Sequence, residues 1–140
     1  MRGDLAALVE AARIGLGAIP EPDAPPGEVR LRITLPGGRT QSVRITLEED
    51  TLRFATRCGD AALARQHPGL HRALLRKNAS LKHGFFALAA DGGIELVATQ
   101  LLATCDPEEF TTLLQNLAAV GDFLEQELVK GLPGAGLDLY

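Results

Sequence analysis

Tryptophan is absent from this 140-residue chain, tyrosine occurs once and phenylalanine five times. Aromatic bulk therefore cannot fill the core, which must be built mainly from Leu, Val, Ile and Ala. A surplus of positive charge is also missing: 14 Lys and Arg stand against 18 Asp and Glu, for a net charge of −4. That balance excludes a typical nucleic-acid binder, whose affinity comes from a concentrated basic face. No run of about 18 apolar residues occurs, so no membrane-spanning helix is expected. Glu10 and Arg13 interrupt any signal-peptide core in the N-terminal stretch. The two cysteines, Cys58 and Cys105, lack metal-ligand spacing. Without a secretion signal they are expected to be free thiols in a reducing cytoplasm.

What the chain does have is patterning. At 46% hydrophobic it is globular in composition, and its length suits one domain burying about 68% of its unfolded surface. Leu5, Leu8, Val9 and Ala12 recur at helical spacing after Asp4, a suitable N-cap, and predict a helix within 1–18 that Gly15 and Gly17 stop. Segment 19–27 carries Pro20, Pro22, Pro25 and Pro26, which excludes helix and central strand and predicts a stiff tether. A core over 28–130 follows, with 131–140 as a flexible tail.

The period then changes to two. Val29, Leu31, Ile33 and Leu35, then Val43, Ile45 and Leu47, then Leu52 and Phe54 alternate with polar residues, and turn residues separate the runs. This predicts a three-stranded antiparallel meander with one wet face. Arg30, Arg32, Arg39, Arg44, Arg53, Arg57 and Arg65 precede the acidic last helix, either as a solvated face or as a basic surface for an acidic ligand. An Ala-rich stretch from Asp60 to Gln66 and the run Leu70 to Asn78 read as helix, with Leu70, Leu74 and Leu75 inward and Pro68 expected at the first helical position. Phe85 to Ala89 and Ile94 to Thr99 flank Asp91-Gly92-Gly93 as a hairpin. The last helix opens with Asp106 as N-cap, Pro107 at the first position and Glu109 reaching back as a capping box. Phe110, Leu114, Leu117, Gly121, Leu124 and Leu128 mark the side that covers the sheet, and glycines from Gly131 end the helix.

No residue set specifies chemistry. His67 and His71 stand four apart, but Pro68, Gly69 and Leu70 lie between them and a third metal ligand is lacking. His83 with Cys58 or Cys105 offers a thiol–imidazole pair without the electropositive setting that activates a thiol. The glycines of Pro36-Gly37-Gly38 and Asp91-Gly92-Gly93 join strand to strand, whereas a phosphate loop joins strand to helix. Glu48, Glu49 and Asp50 form an acidic turn without calcium-loop spacing. Catalytic residues, metal ligands and cofactors are therefore expected to be none.

Leu74-Leu75-Arg76-Lys77-Asn78-Ala79, Gly84-Phe85-Phe86-Ala87-Leu88, Asp91-Gly92-Gly93 and Asp106-Pro107-Glu108-Glu109 occur here in order. Between Val29 and Leu128 the chain thereby resembles the class I type III secretion chaperones (Tir-chaperone type) and the YbjN family. The resemblance implies an α+β fold of order α-β-β-β-α-β-β-α, with a twisted five-stranded antiparallel sheet packed against helices. It also implies a non-enzymatic, homodimeric protein that holds an extended segment of a partner protein. Leu70, Leu74 and Phe86 become dimer candidates, and Leu5, Leu8 and Val9 partner-contact candidates. The long proline-rich tether departs from the family's compact arrangement. Rival readings are a YbjN-like regulatory or small-molecule-sensing domain, and a thiol-dependent enzyme using Cys105 or Cys58.

Overall fold

The computed structural model describes residues 4–82 and 84–129, giving the backbone alone for Leu63, Ala64, Leu128 and Val129. His83, the tail 131–140 and the glycines expected to end the last helix lie outside the described residues, as does the side chain of Leu128. The elements run α1 (Leu5–Leu16), β1 (Ile19–Pro20), β2 (Glu28–Thr34), β3 (Thr40–Glu48), β4 (Thr51–Gly59), α2 (Ala61–Gln66), α3 (Leu70–Asn78), β5 (Phe85–Leu88), β6 (Ile94–Leu101) and α4 (Pro107–Val129). The strands form one antiparallel sheet of order β1-β2-β3-β4-β6-β5.

The sheet has six strands where the sequence predicts five. The extra one is β1, formed by the start of the proline-rich segment: Ile19 pairs with Arg32 and Pro20 with Leu31. Glu21 N–H donates to the Arg30 carbonyl at 2.9 Å and extends the pairing by one bond. Proline is tolerated because β1 is an edge, where a missing donor interrupts no ladder. The segment is thus fastened at one end rather than being a tether throughout.

α1 begins as its sequence suggests, with the Asp4 carboxylate accepting from the Ala6 N–H at 3.0 Å. Gly17 closes it at φ 67°, and Gly15 lies inside the helix. The middle helix differs from expectation. Gly69 takes φ 88°, and Leu70 N–H donates to the His67 carbonyl, so His67-Pro68-Gly69 is a turn dividing α2 from α3. Pro68 consequently lies outside α3. In α4, Asp106 Oδ1 accepts from the Glu109 N–H at 2.8 Å as expected, but the Glu109 carboxylate accepts from Gln100 Nε2 at 3.0 Å instead of completing the capping box.

α4 lies across β4, β3 and β6, α1 rests on α4, and α3 flanks β5. One face of the sheet is buried, with Leu31, Ile33, Val43, Ile45, Leu52, Phe54 and Leu96 against Phe110, Leu114, Leu117 and Leu124 of α4. Phe54 and Phe110 meet as a tilted ring pair with centroids 5.5 Å apart. Gly121 lets α4 lie close on the sheet, since a Cβ there would stand 2.7 Å from Thr56 Cγ2. The helix stripe therefore covers the sheet of its own chain. Among the described residues no helix is long and apolar enough to cross a membrane.

Candidate protein-contact face

α3 places Leu70 and Leu74 one turn apart on its buried side, while Leu75, about 100° further round, points outward and is 69% exposed. After α3 the chain must reverse into the edge strand β5. Gly84 permits this with φ 110° and with no Cβ, because a Cβ would lie 2.8 Å from the Val97 carbonyl oxygen. β5 then alternates. Phe86 is buried, Phe85 on the opposite face is partly exposed, and Leu88 at the strand end is 60% exposed. His71, Leu74, Leu75, Phe86, Ala87 and Leu88 line a shallow, almost wholly apolar groove of about 110 Å³ between α3 and β5. Asn78, the last residue of α3, fixes the groove by two hydrogen bonds to Phe86: the Phe86 N–H donates to Oδ1 at 2.7 Å and Nδ2 donates to the Phe86 carbonyl at 3.1 Å.

The three dimer candidates lie at this place but deeper than a contact surface. Leu70, Leu74 and Phe86 are core residues of the chain itself, with Leu74 and Phe86 as the groove floor. The residues that project are Leu75, Leu88 and Phe85, which the sequence reading did not select. Leu75 in particular was expected inward with Leu70 and Leu74, but it stands about 100° round the helix from Leu74 and the structure turns it to solvent. The partner candidates are placed by α1. Leu8 is buried, and Leu5 and Val9 are half-buried against the same core. The outward apolar residues at that end are Ile14 (71% exposed) near the helix terminus and Ile19 (52%) in β1.

The second face of the sheet carries the arginines, and they are largely matched by carboxylates. Arg44 reaches Glu95 at 2.5 Å, Arg30 reaches Glu28 at 2.5 Å, and Arg32 and Arg57 meet Glu21 and Asp91. Hydrogen bonds from Arg57 and from the Gly93 N–H hold the Asp91 carboxyl below its ordinary range. This is a charge-compensated surface, as a solvated face would be, rather than an uncompensated basic one. Arg39 belongs elsewhere and donates to Asp122 of α4 at 2.9 and 3.0 Å.

Beyond the Val43–Thr56 pair, β3 and β4 part and side chains replace the ladder. Gln41 Nε2 donates to Thr56 Oγ1 at 2.9 Å and to the Arg57 carbonyl at 2.8 Å, and Thr56 Oγ1 donates to the Ser42 carbonyl at 2.7 Å. A polar cleft of about 550 Å³ opens there, lined by residues including Arg32, Arg57, Asp60 and Glu125. Burial, reinforced by the neighbouring Asp122 and opposed by Arg39 and a hydrogen bond from Gln41, pushes the Glu125 carboxyl up. A carboxyl raised in the folded state contributes stability that is present below its unfolded pKa and lost as pH rises through its folded pKa. Glu125→Gln is therefore expected to be more stable than the parent at pH 7. The difference should vanish below about pH 4, near the unfolded carboxyl value. Urea denaturation at both pH values reads this directly.

The thiols are placed against nucleophilic use. Cys58 and Cys105 are both unpaired and buried. Burial pushes Cys58 up to about 12, and burial with the nearby Glu109 and Asp106 pushes Cys105 up to about 11, so both are protonated near neutrality. His67 lies in the turn before α3 and His71 on α3, so their spacing does not set both imidazoles on one helix. Among the described residues, no group of three or more His, Cys, Asp or Glu side chains is arranged to hold a metal ion.

No family model matches the sequence, and no curated protein matches it. Solved structures do match the fold. The type III secretion chaperone SycH of Yersinia pestis, solved with a stable fragment of YscM2, has a TM-score of 0.55 at 18% identity, over 91% of this chain and 98% of that one. A chain of the ExsC–ExsE complex has a TM-score of 0.54 at 20% identity, over 89% of this chain and 92% of that one. YbjN of E. coli has a TM-score of 0.52 at 17% identity, over 93% of this chain and 88% of that one. The chain therefore has the α+β fold shared by type III secretion chaperones and YbjN, as its motifs suggested.

Proposed function

We propose that this chain is a non-enzymatic protein-contact module of the cytoplasm. It acts as a homodimer joined across the α3–β5 face, each copy holding an extended segment of another protein. The observation that carries the reading is the convergence of Leu75 and Leu88 on one apolar groove floored by Leu74 and Phe86. Single exposed leucines are ordinary on any surface, whereas several around one groove mark a contact site. A two-fold contact presents the same patch from both copies, which suits a patch with an uncharged centre. Support for a protein partner comes from SycH and the ExsC–ExsE complex, both solved with protein chains bound. For that partner the α1–β1 corner offers Ile14 and Ile19, while Leu5 and Val9, nearer the start of α1, stay half-buried against the core. Leu8 would meet a partner only if α1 lifted from α4.

The small-molecule reading is less favoured, because polar groups of the cleft beside Glu125 are already paired within the chain: Arg32 with Glu21, Arg57 with Asp91 and Gln41 with Thr56. Photoreactive amino acids placed singly at Leu75, Ile14 and Arg53 in the producing cell separate the possibilities. Leu75 should give a product of twice the chain mass and Ile14 a defined heavier product with another protein, while Arg53 on the charged face gives neither. Absence of both products, or equal yields from Arg53, would sink the proposal.

A further inference from the structure

β5 is the outermost strand on its side of the sheet, so one row of its backbone groups has no strand partner. Such an edge is a template for pairing with another chain. In an antiparallel ladder, residues alternate between bonding one neighbour and facing the other way. Phe86 faces away from β6, since its N–H and carbonyl both go to the side-chain amide of Asn78. An amide group carries the same donor and acceptor as a peptide unit. Asn78 therefore makes the two bonds that one residue of an added strand would make. The opposite edge is obstructed by other means, with Ile19, Pro20 and Glu21 laid along β2.

We propose that Asn78 is a built-in stopper for the β5 edge: while it holds Phe86, a second copy of this chain or any other strand meets the α3–β5 face through side chains alone. Strand addition at β5 requires Asn78 to leave. This deepens the protein-contact reading by assigning how that face is used. Its test reads the edge itself and needs no partner, so either claim can fail without the other.

Asn78→Ala removes both bonds, and Asn78→Asp keeps the acceptor for the Phe86 N–H while losing the donor. Hydrogen exchange resolved by NMR should show the Phe86 amide exchanging about tenfold faster in Asn78→Ala, the scale of one lost hydrogen bond. Asn78→Asp should retain protection at that amide, and Phe85 and Ala87, which face β6, should be unchanged in both. Asn78→Ala should also develop the infrared band of intermolecular antiparallel sheet on concentration, and adding Leu88→Pro, which removes a donor from the same open edge, should abolish it. Unchanged Phe86 exchange in Asn78→Ala would overturn the proposal, and so would loss of protection spread evenly over α3 and β5 or absence of the intermolecular band in Asn78→Ala. If Asn78→Ala fails to fold, Asn78→Asp decides: protection kept at Phe86 supports the stopper, and protection lost there contradicts it.

Discussion

Leu75→Glu combined with Leu88→Glu is expected to weaken self-association at least about 100-fold, or about 2.8 kcal/mol, while leaving the fold intact. Both positions are largely exposed within one copy, and surface substitutions of this kind change stability by about 0.5 kcal/mol or less. At a two-fold interface each change occurs twice, so four carboxylates would have to enter an apolar contact. Burying an unpaired charge is among the most expensive single changes available. Sedimentation velocity gives the association constant, and thermal unfolding shows whether each copy remains folded. A variant that stays associated as tightly as the parent would mean that the groove between α3 and β5 is not the contact.

The second large effect concerns the scaffold behind that face. Phe110→Ala is expected to cost about 3–5 kcal/mol, a large share of the roughly 5–15 kcal/mol that holds a typical domain together. Phe110 is fully buried at the first turn of α4 and packs on Phe54 of the central strand β4. In a chain without tryptophan, few neighbours have the bulk to refill the space, so the cavity should persist. Guanidinium denaturation and thermal scans should both register the loss, the latter as a fall of about 10–20 °C. A fall within experimental error would show that α4 is held chiefly elsewhere.

Much of the scaffold was readable before folding because it is local. The alternation through Leu31, Ile33, Val43, Ile45 and Phe54 names the buried face of three strands without reference to partners, and Phe110, Leu114, Leu117 and Leu124 do the same for α4. The Asp106-Pro107 start and the Asp91-Gly92-Gly93 turn are likewise written in neighbouring residues. Features set by distant residues were not readable. Ile19 and Pro20 become a strand only because β2 has an open edge beside them. The Glu109 carboxylate abandons its own helix terminus because Gln100 of β6 stands within reach. Gly69 divides α2 from α3 through a positive φ that the sequence allows but does not demand.

The candidate face was legible in location but not in depth. Leu74-Leu75 and Asn78, followed by Gly84-Phe85-Phe86, pointed to the junction of α3 and β5. Helical spacing alone does not show that Leu74 and Phe86 fill the chain's own core while Leu75 and Leu88 remain outside. That division depends on how closely α3 lies to the edge strand, which Asn78 and Gly84 set together. The polar contact among Gln41, Thr56 and Glu125 joins three elements distant in sequence and gave no local signal at all.

The central claim, that the apolar α3–β5 face joins two copies of this chain, is tested most directly by the mass of the purified chain at sedimentation equilibrium over a micromolar concentration series. The account predicts a species of twice the 14.9 kDa chain mass. A single species of one chain mass across the series would contradict it.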